Sequence, residues 1–396
     1  MPASSTGRER PSTNGDDAHR AVTEVLSQRR LNRTTLSRQL LLEPAECKVE
    51  QAVERIAGLQ AQEPASPYIG LWARLADFDA ADLDAAIAAR SVVKGTLMRS
   101  TVHIVTATDY RALWPAILPM LEGIRRQDRV HPPSPRRLAA LRRRVTDFTA
   151  TPRSLTALRE HVGDVDGLTG DEVVWWLRRR LPLAHAPTGE SWSFGRRPLL
   201  AHADAWLPAG PWADEATAIE HLVRHYLAAF GPTSLADIAQ WSGLPVARIR
   251  SGVIAVEAAG DLVEFRSERG RALIDLADAP RPSDDVAAPP RLLPMWDSTV
   301  LAFADRTRIL SDEDRAKVIA RNGDTLPVFL VDGMVAGRWW ATAEGRRTRI
   351  ELEPFRRLAA KDRRALERLC RRLAAFVAPH EPNVYARYQR WRKDDR

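Results

Sequence analysis

The chain has 396 residues and a formal net charge of +8, enough length for several modules and a sizeable core. Its two cysteines, Cys47 and Cys370, exclude a disulfide framework and a thiolate zinc site and point to a reducing cytoplasm, and no apolar run is long enough to span a bilayer. Only five of the 59 basic residues are lysine, so part of the arginine richness reflects a GC-rich coding sequence; the excess of positive charge still favours a polyanionic partner, nucleic acid first.

The opening stretch MPASSTGRERPSTNGDDAH lacks the apolar middle of a signal peptide and reads as a disordered tail over 1–22. A first winged-helix unit is predicted in 23–115. Its helices are RTTLSRQLLL, CKVEQAVERIAGL and DAADLDAAIAAR, followed by the hairpin-like pair VVKGTLMR and STVHIVT. A second unit, 116–212, has SLTALREHV, the capped TGDEVVWWLRRR, and PLAHAP and SWSFG around the turn TGE. The third, 213–280, is the clearest. DEATAIEHLVRHYLAAF stops at Gly231-Pro232, Thr233 or Ser234 caps SLADIAQWSG, and Gly243 ends it. Pro245 then opens PVARIRSGVIAVEAAG, and DLVEF and RALIDL flank the turn RSERG. Three helices and a hairpin make a winged helix, a helix-turn-helix variant that usually binds DNA.

Beyond the Pro-rich linker DAPRPSDDVAAPP, residues 281–396 turn to strands. RLLPMWDSTVLAF, LPVFLV, MVAGRWWA and RTRIELEP, with Asp332-Gly333 as a hairpin turn, predict a small β-barrel. The amphipathic KDRRALERLCRRLAAFV follows as a helix. The predicted fold class is therefore α+β, with three tandem winged-helix units and a C-terminal β-barrel.

Common catalytic signatures are missing: the sequence has no Gly-rich phosphate loop, no serine elbow and no CxxC. His221 and His225 are spaced as metal ligands can be, but no carboxylate stands between them, so they read as one face of an amphipathic helix. No metal and no organic cofactor are expected. The DEDR run at 312–315 reads as the acidic start of a helix. Arg125, Arg126, Arg129, Arg136, Arg137, Arg142, Arg143 and Arg144 are opposed only by Asp128, a density suited to phosphate contact. In the hairpin candidate 183–197, Trp192, Phe194, Arg196 and Arg197 either enter a groove and stack on bases or pack the wing onto its own helices. His103, with Thr101 beside it, either lines a site or is a half-buried structural histidine.

The stretch GLQAQEP, 58–64, is more specific in what it can do. Pro64 favours extended geometry just before it, and in an extended segment Gln60 and Gln62 point to the same side. Each amide offers an acceptor and two donors, enough to orient a water molecule. A glutamine is too weak a base to take a proton in full, so it serves where the electrophile is already reactive and the nucleophile mainly needs positioning. A purine alkylated at N7 meets that requirement: it is cationic, its glycosidic bond is weakened, and the base leaves neutral.

LNRTTLSRQLLL, AVERIAGLQAQEPASPYIGLWARL and GTLMRSTVHIVTATDY resemble the AlkZ-like and YcaQ-like winged-helix DNA glycosylases. GPTSLADIAQWSGL, LLPMWDSTVLAFADR and PVFLVDGMVAGRWW are similar to later blocks of that family, so the likeness runs from about residue 25 to 355. It implies tandem winged helices around a basic concave surface, a C-terminal β-barrel, and hydrolysis of N7-alkylated purine nucleosides in double-stranded DNA. It also implies a catalytic glutamine–apolar–glutamine signature, falling here on Gln60, Ala61 and Gln62. For this branch it implies bulky or crosslinked adducts of a DNA-alkylating natural product, hence repair or self-resistance. No lysine adjoins the pair in sequence, Lys48 being the nearest before it, so a monofunctional glycosylase without a Schiff-base step is expected, acting as a monomer. The competing reading is a winged-helix transcription regulator without chemistry, which would read bases with the helix from Val246 to Ala259.

Overall fold

A recurring order of elements organises most of the chain: helix, short strand, two helices, hairpin. In the computed structural model, which describes residues 24–124, 133–195, 197–345 and 347–392, the first round is helix Val49–Arg55, strand Leu59–Gln60, helices Ala65–Trp72 and Ala80–Ala88, and strands Val92–Thr96 and Val102–Thr106. The second is helix Pro135–Phe148, strand Arg153–Ser154, helices Leu155–Val162 and Gly170–Leu177, and strands Leu183–Ala186 and Leu199–His202. In the third, helix Glu215–Phe230 precedes a single bridge between Thr233 and Ile274, helices Leu235–Ser242 and Val246–Ala258, and strands Leu262–Ser267 and Ala272–Leu276. The predicted 1–22 tail lies outside the described residues.

Local signals set several boundaries. Thr169 and Glu172 form a capping box at the start of Gly170–Leu177, and Ser234 with Asp237 does the same for Leu235–Ser242. That helix ends at Gly243, whose left-handed φ of 82° an L side chain would strain. The second hairpin differs from expectation. Its returning strand is Leu199–His202 rather than SWSFG, and the intervening loop folds inward.

The first two rounds are joined. Val92–Thr96 pairs with Leu183–Ala186, setting Lys94 opposite His185 and Gly95 opposite Ala184, so two hairpins and two short strands form one six-stranded sheet. The expected boundary between 115 and 116 falls inside the helix Ala107–Gly123. Side chains alternate across this sheet. Leu59, Ala61, Val92 and Ile104 join the core that runs on to Trp339 and Trp340. Val93, Val105 and Ala184 face a second core with Tyr110, Phe230 and Trp241.

The helix Gln28–Arg38, expected to open the first winged-helix unit, docks elsewhere. It buries Asn32, Arg33 and Arg38, and buried polar groups need partners. Asn32 Nδ2 donates to the carbonyls of Arg308 at 2.7 Å and Gly333 at 2.9 Å. Arg38 Nη2 meets Asp275 Oδ2 at 2.8 Å, both side chains buried. Val25–Leu26 pairs in parallel with Leu262–Ser267, so this segment belongs with the third round.

Near the C-terminus, Arg291–Leu293, Val328–Val331, Met334–Glu344 and Arg347–Pro354 form a four-stranded antiparallel sheet in that order. Among the described residues it does not close, and the expected barrel gives way to an open sheet. The helix Ala360–Val377 packs on both of its outer strands, burying Leu366, Leu373 and Val377, and so covers the apolar surface that closure would have hidden. Among the described residues no helix is long and apolar enough to cross a membrane.

Candidate active site

The glutamine motif begins in a strand and ends in a bend. Gln60 lies opposite His103 in the antiparallel pair, and the Ala61 N–H donates to the Val102 carbonyl at 2.7 Å. There the partner strand runs out. The chain bends at Gln62, and Pro64 leads into the helix Ala65–Trp72. The two amides therefore part company, contrary to the expectation for a fully extended segment.

Gln60 is 6 % exposed, and its Oε1 accepts from Arg99 Nη2 at 2.8 Å. Arg99 sits in the turn joining the first hairpin, in the left-handed region at φ 54°, and its Nη1 donates to the Trp241 carbonyl. One guanidinium thus ties the motif to the third round. His103 is wholly buried, its Nδ1 3.1 Å from the Thr101 carbonyl. Burial, aided by the Arg99 charge, lowers its pKa to about 3, so it is neutral. Thr101 bonds back to the Met98 carbonyl at 3.0 Å. His103 and Thr101 are accordingly neighbours of Gln60 and Arg99.

Gln62 is exposed and lines a cavity of about 560 Å³, within the range of small-molecule and cofactor sites. Lys94, His185, Glu63, Glu190, Phe194 and Arg387 also line it; Gln60 does not. Lys94 is buried, with Nζ 4.5 Å from the centre of the Phe194 ring, and it has no hydrogen bond or ion pair among the described residues. Burial lowers its pKa to about 8 against the opposing pull of Glu63. His185, opposite it in the sheet, is held well below its ordinary pKa by burial, and Lys94 and Arg178 add to the effect. Glu63 accepts from Arg387 and from Tyr388 Oη. A larger groove of about 850 Å³, between Ala45 and Ala89, contains no member of the motif.

Trp192, for which DNA contact by base stacking was one of two readings, is 3 % exposed. It packs on Tyr68, Phe376 and His380 and donates from Nε1 to Glu381 Oε2 at 3.0 Å. This is a correction: the inward fold of residues 187–195 makes it a core residue, the outcome an aromatic gains most from. Arg197 is exposed and is next in the chain to Pro198, which lines the cavity. Arg125, Arg126, Arg129 and Arg196 lie outside the described residues. Of the remaining basic cluster, Arg136, Arg137, Arg143 and Arg144 are exposed on Pro135–Phe148, which turns Leu141 and Val145 inward.

His221 and His225 find a carboxylate from another helix. Asp109 Oδ1 is 3.1 Å from His221 Nε2 and 3.9 Å from His225 Nδ1, close enough for three ligand atoms to share a cation. Asp109 also accepts from Thr106 Oγ1 at 2.8 Å, and the same hydroxyl caps the helix by accepting from the Asp109 N–H at 3.0 Å.

Comparison with known proteins fits this architecture. A model of the family described as DNA glycosylase AlkZ-like matches residues 53–376, which include the glutamine motif, Lys94 and Arg99. The solved structure of the Streptomyces sahachiroi DNA glycosylase AlkZ is similar, with a TM-score of 0.72 at 20 % identity, over 89 % of this chain and 97 % of that one. No curated protein matches. The fold is a mixed α+β fold similar to that of AlkZ. The chain belongs to the AlkZ-like DNA glycosylase family. It is a DNA-repair glycosylase, an enzyme acting on DNA, and the regulator reading is set aside.

Proposed function

We propose that this glycosylase hydrolyses the N-glycosidic bond of N7-alkylated purines in double-stranded DNA, including bulky or crosslinked adducts of a DNA-alkylating natural product. The observation that carries the reading is the division of the motif: Gln62 stands exposed at a cavity of about 560 Å³, while Arg99 holds Gln60 beside it. Gln62 orients the water that attacks C1′ and places its amide oxygen towards the developing sugar cation. Gln60 fixes the strand end that presents Gln62. The cationic base departs neutral, so no strong general acid is required.

The recurring helix–strand–helix–helix–hairpin order supports reading the three rounds as winged helices. Exposed arginines on Pro135–Phe148 supply the phosphate contacts, and the protein works as a monomer. Base release from duplex DNA carrying N7-methylguanine tests the reading. Wild type should release the base, and Gln62→Ala at matched DNA affinity should not. A wild type that binds and releases no N7-alkylated base, methylated or bulky, overturns it.

A further inference from the structure

The sequence offers no lysine next to the glutamines, yet the sheet brings one to the same cavity. Lys94 lies 34 positions after Gln60 and reaches the cavity wall because its strand is the middle element linking the first hairpin to the second. Both Lys94 and Gln62 line that wall. Lys94 is 7 % exposed, and among the described residues no carboxylate pairs with it.

An ammonium so placed is costly, because desolvation penalises the charged form and nothing bonded compensates. Its pKa of about 8 gives a substantial fraction of neutral amine just above neutrality. The neighbouring His185 is neutral as well. A structural lysine would be expected to bury its stem and keep its head in water. Here the head is inside, against Phe194. Desolvated lysines of this kind are the ones that form Schiff bases with carbonyl substrates.

We propose that Lys94 is the nucleophile of a second activity, abasic-site lyase cleavage of the DNA strand at the cavity that Gln62 lines. The proposal rests on the glycosylase reading for the site. Loss of the base leaves a deoxyribose whose open form carries an aldehyde at C1′. The neutral Lys94 Nζ attacks C1′, and the carbinolamine loses water to give a protonated imine. A carboxylate of the cavity, Glu63 or Glu190, takes a proton from C2′. The C–H pair forms the C2′–C3′ double bond as the C3′–O bond breaks and the 3′-phosphate leaves. Water then hydrolyses the imine and restores the amine. One water is released and one consumed, and no oxidant or reductant enters.

The test uses the full chain with duplex DNA containing a preformed abasic site, so base release is not required. Sodium borohydride reduces an imine to a stable amine and traps the protein on the DNA. A covalent complex, with the adduct mapped by peptide mass spectrometry to Lys94, is the expected result. Lys94→Met should lose the complex, and strand cleavage by wild type should rise with pH through about 8. No trapped complex, or an adduct at another amine, overturns the proposal. Mapping the adduct on wild type makes the result independent of whether the variant folds. Because base release from N7-methylguanine is measured separately, failure of the lyase and failure of the glycosylase reading are told apart.

Discussion

Across one face of the six-stranded sheet, Gln60, His103, Gly95 and Ala184 lie in a row against a closed core. Across the other, the row Leu59, Ile104, Lys94 and His185 ends at an open cavity. The closed face buries its polar groups. Gln60 is bonded to Arg99, His103 is kept neutral by burial, and Gly95 leaves room for the Tyr110 ring. On the cavity face, neither Lys94 nor Gln62 has a side-chain hydrogen bond or ion pair among the described residues. The difference shows how a bend at the end of a strand can divide a three-residue motif between structure and chemistry, where an unbroken period of two would have kept both amides on one face.

If the division is right, Gln62→Ala is the most damaging change to activity and among the mildest to stability. Base release should fall about 10²- to 10³-fold, as when a preorganised transition-state donor is lost. The unfolding free energy should stay within about 0.5 kcal/mol because the side chain is exposed. A comparable loss of stability would break the comparison. Gln60→Ala should do the reverse in proportion: removing the acceptor from Arg99 costs about 1.5–3 kcal/mol of stability, read as a shift in the urea midpoint at unchanged slope.

Gly95→Ala probes the closed face without touching a polar group. An added Cβ would stand 2.4 Å from Tyr110 Cε2, so overpacking should cost about 1–3 kcal/mol. A neutral result would mean that the Tyr110 ring gives way. The gentlest probe is pH. Because the folded pKa of His103 is about 3 and the unfolded value about 6.5, the unfolded state binds the extra proton between these limits. The contribution of His103 is fully present above about pH 6.5 and is lost as pH falls towards 3, by at most about 1.4 kcal/mol per pH unit. His103→Asn should flatten that acid limb in urea titrations. An unchanged slope would show that His103 is not what makes the closed face acid-sensitive.

Local chemistry was well marked in the sequence. The helix starting after Asp214, the Ser234 cap, the Gly243 stop and the Asp332-Gly333 turn all stand where their residue types put them, because capping and turn geometry depend on a few adjacent residues. The extended backbone at Gln60 was also legible. The divergence of the two glutamines was not, since it follows from where the partner strand ends at Val102. Trp192 was open to two readings, and only the inward loop chose between them. Arg99 carries no sequence signal at all: its role depends on a left-handed turn and on a carbonyl 142 positions away.

By itself, then, the sequence determined the helices and hairpin of the third round, the family signature and the chemistry available to a pair of neutral amides. Tertiary structure alone decided that two hairpins fuse into one sheet, that Gln28–Arg38 docks on the third round, and that the last four strands stay open under a helix. It also decided that Lys94 shares a cavity with Gln62. The physical reason is range. Capping, turns and periodicity act over a few residues, whereas strand pairing and the burial of lone polar groups join residues far apart in the chain.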